Sequence, residues 1–304
     1  WLARARHPVI LARNLCEAAA AASFVAALAS APLSIVAAVI QANPLLVTLD
    51  CGVMAHDPLL RAGELGMDTV IVDHHQAGDE LPRAQAVINP NRLDDISGQG
   101  ALCAAGVAMV LVGATVKVLR EAGWWSDARP EPDMLAMLDL VALGIVADVA
   151  MIEGDTRYLL QRGLAALRQT RRPGLQELMQ IAGLNPAALT EEHILFALER
   201  RLNALGRLDD ANLAVEFLST FDLSRARILA QQLEGLNAQR KLLTDQVFEG
   251  AQAQLARNPS LLDNPALVLA HPGWPSGVIG IVASRLVDTY HKPTVLLTSP
   301  PGEP

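Results

Sequence analysis

The strongest evidence for the fold lies in two runs of the sequence, LLVTLD at residues 45–50 and TVIVDHH at residues 69–75. Both are compact apolar runs that end abruptly in polar side chains. Similar runs, VILA at 9–12 and AVIN at 86–89, lie before and after them. Alanine- and leucine-rich stretches separate the four runs. Apolar strands that alternate with helices predict a parallel sheet with crossover helices.

Beyond these runs the chain is mostly helical to about residue 222, and a long run without proline at 224–257 predicts one extended helix. LVLA at 267–270, a glycine-rich loop at 271–280 and TVLLT at 294–298 then predict a second, smaller α/β unit. The predicted class is therefore α/β, with a parallel-sheet domain, a helical extension, a long connecting helix and a partial second α/β domain.

Composition limits the class of protein. The 304 residues are 51% hydrophobic and 18% charged, enough for a large core in two domains or one large one. The net charge of −8 gives no overall electrostatic reason to seek nucleic acid, although residues 157–240 hold more basic than acidic side chains. Cys16, Cys51 and Cys103 are too widely spaced for a disulfide framework or a zinc signature, so we expect a reducing, cytoplasmic compartment.

The N-terminal region needs its own interpretation. Trp1 in place of methionine indicates a fragment. Residues 18–40 carry no charge and are long enough for a membrane span, but Pro32 would break a continuous helix. We expect two buried helices here, and neither a membrane span nor a signal peptide.

Polar side chains follow two of the predicted strands. Asp50 ends one strand and Asp73, His74 and His75 end another, and ligands of open α/β sheets bind at the carboxyl ends of strands. A third carboxylate, Asp148, follows an apolar helical stretch. Carboxylate oxygens with imidazole nitrogens suit Mn²⁺ or Mg²⁺. Taken singly, each aspartate could merely cap a following helix and each histidine could be a surface residue, but the combination favours a metal-assisted hydrolase site.

The motif VIVDHH followed by LPRAQAVINPNR resembles the signature of the DHH phosphoesterase superfamily. The similarity continues, in order, through GALCAAGVAMVL, LDLVALGIVADVAMIEGDTRYLLQRGL, RRLNALGRLDDA and HPGWPSGVIGIVASRLVDTYHKPTVLL. Within the superfamily these blocks resemble the RecJ-type single-strand-specific 5′→3′ DNA exonucleases, over roughly residues 33–299. The resemblance implies a DHH phosphoesterase domain at 1–222, a connecting helix at 223–258 and a partial DHH-associated nucleic-acid-binding domain at 259–304.

The resemblance also implies roles for the polar cluster. Two Mn²⁺ or Mg²⁺ ions activate a water against a phosphodiester in this family. Asp50 would bridge the ions, His74 and Asp148 would be ligands, Asp73 would orient the histidine, and His75 would face the scissile phosphate.

Two further segments acquire a nucleic-acid-binding role from the same resemblance. Arg201, Asn203 and Arg207 are similar to a phosphate-contacting loop, where guanidinium groups hold phosphate oxygens in pairs. The alternative is that these three residues lie on a solvent-exposed helix face and have no binding role. A second set resembles the DNA-binding loop of the associated domain, where glycines let the backbone approach phosphates; it comprises His271, Gly277 and Gly280.

One family motif is degenerate in this chain. The first motif has the form D-x-D-x-D-G, and the matching positions hold Asn14, Cys16 and Ala18. Glu17 lies between them, but neighbouring residues on a strand face opposite ways. We therefore expect at most one well-held ion and impaired exonuclease turnover.

Three functions stay open from the sequence. The leading one is a monomeric RecJ-like exonuclease of single-stranded DNA, working with repair proteins. The second is a non-catalytic protein that binds single strands or a protein partner. The third is a phosphoesterase for short oligonucleotides or cyclic dinucleotides, against which the block RLNALGR argues.

Overall fold

The computed structural model describes residues 45–208 and 212–298, and at 205–208 it describes the backbone alone. The described chain divides into two compact units. The first unit comprises residues 45–199 with 212–230, and the second comprises 200–208 with 231–298.

The first unit is built on three parallel strands in the order β1–β2–β3. They are β1 (Leu45–Leu49), β2 (Asp68–Val72) and β3 (Ala86–Ile88). Leu49 pairs with Val72, and Val72 pairs with Ile88, so all three carboxyl ends reach the same edge. This arrangement confirms the predicted parallel sheet. The strand expected at 9–12 lies outside the described residues.

The α-helices in chain order are α1 (His56–Glu64), α2 (Ala104–Glu121), α3 (Leu138–Ala147), α4 (Gly154–Arg168), α5 (Pro173–Ile181), α6 (Arg200–Leu208), α7 (Asn212–Ser219), α8 (Leu223–Arg257) and α9 (Ser276–Tyr290). A 3₁₀ turn (Pro186–Ala188), a helical turn (Glu191–His193) and a π-helix (Ile194–Glu199) come between α5 and α6, and a second 3₁₀ turn spans Pro259–Asp263. Helices thus outnumber strands, as the α/β class with a helical extension predicts.

Helix α3 forms the centre of the first unit. Every residue from Leu138 to Val146 is buried, which is typical of a helix packed on all sides. It meets α2 at Gly144, where a side-chain Cβ would lie 2.5 Å from the Cβ of Ala105. The absence of a side chain at Gly144 therefore sets the distance between the two helices, and with it the position of the residue that follows α3, Asp148.

The second unit contains two parallel strands, β4 (Leu267–Ala270) and β5 (Thr294–Leu297), joined through α9. Its core includes residues from the end of α8, from β4 and from α9, among them Val247, Leu267, Trp274, Val278 and Val282. The predicted small α/β unit and the long helix, now α8, are confirmed. The domain boundaries 1–222, 223–258 and 259–304 stay predictions.

One local prediction was wrong. Gly277 and Gly280, expected in a loop, lie in the first turns of α9. The reason is a stripe of apolar residues, Val278, Val282 and Leu286, which are completely buried and spaced at helical intervals. Burial of that stripe outweighs the poor helix propensity of glycine, about 1 kcal/mol per residue.

Across the described helices, none combines the length and the apolar character needed to cross a bilayer. The uncharged stretch at 18–40 lies outside the described residues.

Candidate metal centre

Asp50 sits at the carboxyl end of β1. Its N–H donates to the carbonyl of Val72 (2.8 Å), which extends the strand pairing by one residue. The backbone then turns through a left-handed conformation, with φ at +56°. Aspartate is among the few non-glycine residues that tolerate this conformation. The turn leaves the Asp50 side chain buried at the sheet edge, 6% exposed.

Asp73 follows β2 and is 1% exposed. Its Oδ2 accepts a hydrogen bond from the N–H of Val53 (3.0 Å). Its Oδ1 accepts from the backbone N–H groups of His74 (2.8 Å) and His75 (3.2 Å) and lies 2.7 Å from Nδ1 of His75. Neither Asp50 nor Asp73 caps the helix that follows it, because the N-cap residues of α1 and α2 are Ala55 and Cys103.

These hydrogen bonds keep Asp73 ionised. Burial alone would raise the pKa of the Asp73 carboxyl, but donation from Val53, from the His75 ring and from the backbone of His75 and His74 outweighs burial and lowers it. An ionised Asp73 requires a proton on Nδ1 of His75. The other ring nitrogen of a neutral His75 then carries the lone pair.

His74 lies between two carboxylates. Its Nε2 is 2.7 Å from Oδ1 of Asp50, and its Nδ1 is 3.7 Å from Oδ2 of Asp148. Burial lowers the pKa of His74, but the contact with Asp50 and the charges of Asp148, Asp50 and Asp73 together raise it. The surroundings of this imidazole therefore favour positive charge.

His75 lies beside His74, with ring centroids 4.6 Å apart. Its Nδ1 is 3.7 Å from Oδ1 of Asp50, and its side chain is 30% exposed. Asp73 therefore contacts the ring of His75, whereas the sequence interpretation assigned its support to the metal-binding histidine, His74.

Asp148 is the C-cap residue that follows α3, and its side chain is 33% exposed. The next residue, Val149, has φ at +53°. A β-branched residue in this region is a genuine outlier, and such strain clusters at functional sites. Among the described residues, two of the three non-glycine residues with positive φ, Asp50 and Val149, belong to or adjoin this cluster.

The cluster fits a divalent cation. Ligand atoms of Asp50, His74 and His75 lie within 4.8 Å of one another. Oδ1 of Asp50 is shielded from solvent and receives no aligned hydrogen bond, although Nε2 of His74 is only 2.7 Å away. A buried carboxylate oxygen without an aligned donor is costly unless a cation or proton neutralises it. His75 thus joins Asp50 and His74 as a candidate ligand, which the sequence did not predict, whereas the predicted ligand Asp148 does not belong to this group.

Asn89 and Asn91 are part of the same cluster, and the sequence analysis did not select them. They donate to the carbonyl oxygens of His75 (2.9 Å) and His74 (2.6 Å). The available signal was their position directly after β3, at the same sheet edge as Asp50 and Asp73.

The predicted phosphate-contacting residues belong to the second unit. Arg201, on α6, is half-buried and pairs with Glu234, with Nε and Oε2 2.5 Å apart. Asn203 lies two residues further along the same helix and is also half-buried. Arg207 is on α6, but its side chain lies outside the described part of the chain. Arg201 thus already has a carboxylate partner within its own unit.

His271 and the two glycines also belong to the second unit. The His271 ring stacks on Trp274, with centroids 5.6 Å apart, and its Nδ1 accepts from the N–H of Gly273 (3.0 Å). His271 is the only one of the three in the loop that follows β4. The degenerate first motif at 14, 16 and 18 lies outside the described residues.

Comparison with known proteins gives a consistent assignment. Residues 15–145 match the DHH family, N-terminal domain. The single-stranded-DNA-specific exonuclease RecJ of Salmonella typhimurium is 39% identical over 268 residues, which are 85% of this chain and 45% of that protein. RecJ of Escherichia coli is 37% identical over 268 residues, again 85% of this chain and 45% of that protein. The chain spans less than half the length of these curated relatives.

Two solved structures resemble the chain. A crystal structure of exonuclease RecJ bound to manganese gives a TM-score of 0.75 at 29% identity and covers 94% of this chain and 73% of that one. RecJ of Thermus thermophilus in complex with Mn²⁺ gives 0.76 at 29% identity and covers 93% of this chain and 42% of that one.

Proposed function

The chain belongs to the DHH family and has RecJ exonucleases as its relatives, and on this premise we propose that its first unit carries the metal site of a 5′→3′ exonuclease for single-stranded DNA. The protein acts as a cytoplasmic monomer, with repair proteins as further partners. The ion is Mn²⁺, as in the two RecJ structures named above, or Mg²⁺, as in another crystal structure of RecJ from Thermus thermophilus.

The observation that carries the proposal is the state of Asp50. Its Oδ1 is buried, lacks an aligned donor and faces the rings of His74 and His75. Asp148 adds a second carboxylate on the far side of His74. An oxygen and nitrogen set of this kind suits Mn²⁺, and the negative surroundings that raise the pKa of His74 also favour a cation.

Each side chain then has a role in hydrolysis. A bound divalent ion supplies Lewis-acid stabilisation of the phosphodiester and a water of lowered pKa. Asp50 and His74 would hold the ion together with Asp148, whose Oδ2 lies 3.7 Å from Nδ1 of His74. Asp73 contacts Nδ1 of His75, which leaves Nε2 of a neutral His75 ring as the atom that can accept a proton or bind the ion.

We further propose that turnover is impaired. The first motif offers Asn14, Cys16 and Ala18 in place of three carboxylates. Asp50, His74 and Asp148 suffice for one ion, and a second ion would keep little beyond Asp50. A two-ion hydrolysis reaction that has lost one ion loses stabilisation of either the attacking or the leaving oxygen.

Restoration of the first motif tests this reasoning. The purified chain is compared with a variant that carries Asn14→Asp, Cys16→Asp and Ala18→Asp, on 5′-phosphorylated single-stranded DNA with Mn²⁺. We expect one weakly bound Mn²⁺ and little cleavage for the parent, and a gain of cleavage in the variant that a further Asp50→Asn change abolishes. Degradation by the parent at near-normal rates would refute the impairment, and a parent that takes up no Mn²⁺ would refute the site.

The degenerate motif also favours a second candidate, a non-catalytic protein that binds single strands. In that case the parent binds single-stranded DNA with an affinity that falls as salt rises, and the restored variant binds equally well but still does not cleave. Cleavage by the restored variant would instead mean that only the first motif is broken.

A further inference from the structure

The segment that carries His74 and His75 is held from two sides. Its N–H groups donate to Oδ1 of Asp73, as described above. Its carbonyl groups accept from two asparagine side chains: Nδ2 of Asn89 donates to the carbonyl of His75 (2.9 Å), and Nδ2 of Asn91 donates to the carbonyl of His74 (2.6 Å). All four backbone polar groups of the pair are therefore satisfied, although the segment is in neither a helix nor a strand.

The orientation of the Asn91 amide is fixed by its neighbours. Nδ2 also donates to the carbonyl of Gly100 (3.2 Å). Two carbonyl acceptors on one atom leave a single possible assignment of amide nitrogen and oxygen. The amide fits because residue 100 is a glycine: a Cβ there would lie 2.7 Å from Oδ1 of Asn91.

The two asparagines are also joined to each other and to the sheet. Oδ1 of Asn89 accepts from the N–H of Asn91 (2.7 Å), and Asn89 is 4% exposed. Arg92 donates from its guanidinium to the carbonyl of Val87 in β3 (2.7 Å). These contacts fix the loop after β3 independently of the histidines that it holds.

We propose that Asn89 and Asn91 are positioning residues for the imidazole pair, acting through the carbonyl groups of His75 and His74. Their contacts set the backbone path after Asp73, and this path directs the ring of His74 towards Asp50. The inference rests on the proposed function, because the geometry that it explains is the cation site. Outer contacts of this kind typically change metal affinity by about 10- to 100-fold when they are removed.

The first test measures Mn²⁺ affinity by titration calorimetry in Asn91→Leu, which approximates the shape of asparagine without its donors and adds no charge. We expect a loss of about 10- to 100-fold, with Asn91→Ala as a second variant should leucine prevent folding. The matched control is Asn185→Leu. Asn185 only accepts a hydrogen bond, from the N–H of Ala187 (3.1 Å), at a helical turn remote in sequence from the cluster.

The control separates positioning from loss of stability. Asn185→Leu removes a helix cap and lowers the melting temperature, but leaves Mn²⁺ affinity unchanged. Equal Mn²⁺ affinity in the parent and both Asn91 variants would overturn the inference. So would an equal loss of affinity in the Asn185 control.

A second readout needs no metal. The rings of His74 and His75 have centroids 4.6 Å apart, so histidine-labelled parent protein in EDTA should give a nuclear Overhauser effect between their ring protons. We expect this signal to be lost in both Asn91 variants and kept in Asn185→Leu. If the signal persists in the Asn91 variants, the inference fails. If the parent binds no Mn²⁺ but the signal behaves as expected, the proposed function fails while the positioning role stands.

Discussion

Replacement of Asp73 by asparagine tests the electrostatic reasoning about the site, because the side chains have the same shape and differ in charge and in one donor group. The carboxylate accepts from Val53, His74 and His75. An amide can keep its oxygen towards the two histidines. Its NH₂ group must then face the N–H of Val53, a residue that is 2% exposed.

The magnitude follows from these contacts. Two buried donors that face each other cost about 1–3 kcal/mol, and hydrogen bonds to a neutral acceptor contribute about 1 kcal/mol less each than bonds to a carboxylate. Three bonds at Oδ1 are weakened in this way. Asp73→Asn should therefore lower the free energy of unfolding by about 4–6 kcal/mol at neutral pH.

The assay is urea denaturation followed by circular dichroism, with EDTA present so that metal binding does not contribute. The control is Asp94→Asn, which removes an exposed carboxylate paired with Arg92; we expect little change from it. A loss below about 1 kcal/mol in Asp73→Asn would refute the assigned hydrogen bonds.

The pH dependence gives a second check on the same variant. The folded-state pKa of Asp73 lies below its ordinary value of 3.8. A lowered pKa means that the stabilisation is fully present above the unfolded-state pKa and is lost as pH falls through the folded-state pKa. The difference in stability between parent and variant should therefore shrink as pH drops below about 4, and a constant difference would contradict the direction of the shift.

Three further predictions concern the first unit. Gly144→Ala should lower the free energy of unfolding by about 1–3 kcal/mol in a thermal melt, because a Cβ there meets the facing methyl group of α2. Gly63→Ala, in open space on α1, should be neutral or stabilising in the same measurement. Burial raises the pKa of the Cys103 thiol to about 12. Cys103 should therefore resist alkylation at pH 8 until the protein unfolds, which peptide mass spectrometry can measure. Rapid labelling of Cys103 in the folded protein would contradict this. Asp139→Ala should cost about 3–5 kcal/mol in urea denaturation, because it leaves the guanidinium of Arg172 half-buried without its carboxylate, and Asp139→Ala with Arg172→Leu should recover part of that loss.

The sequence predicted the sheet edge well, for a physical reason. Apolar runs that end in Asp50 and in Asp73–His75 place their polar residues at the carboxyl ends of parallel strands, and parallel pairing aligns those ends. The sequence marked Asp148 as a carboxylate after an apolar helix, but its role as a metal ligand came only through family resemblance, because no periodic pattern relates the end of α3 to the ends of β1 and β2.

Other features could not be obtained in this way. Which nitrogen of His75 meets Asp73 depends on side-chain rotation, which no residue pattern records. The pairing of Arg201 with Glu234 joins residues 33 positions apart. The helical placement of Gly277 was missed because local propensity was given more weight than the buried stripe through Val278.

The left-handed turns at Asp50 and Val149 have a thermal consequence. Each such residue costs about 1–3 kcal/mol of conformational energy that the surrounding packing must offset. The cluster therefore lies between two strained turns. We expect these two turns to relax before the buried helix α3 melts as temperature rises and packing loosens. Cation binding should therefore weaken at temperatures where the helical signal of the protein is still intact.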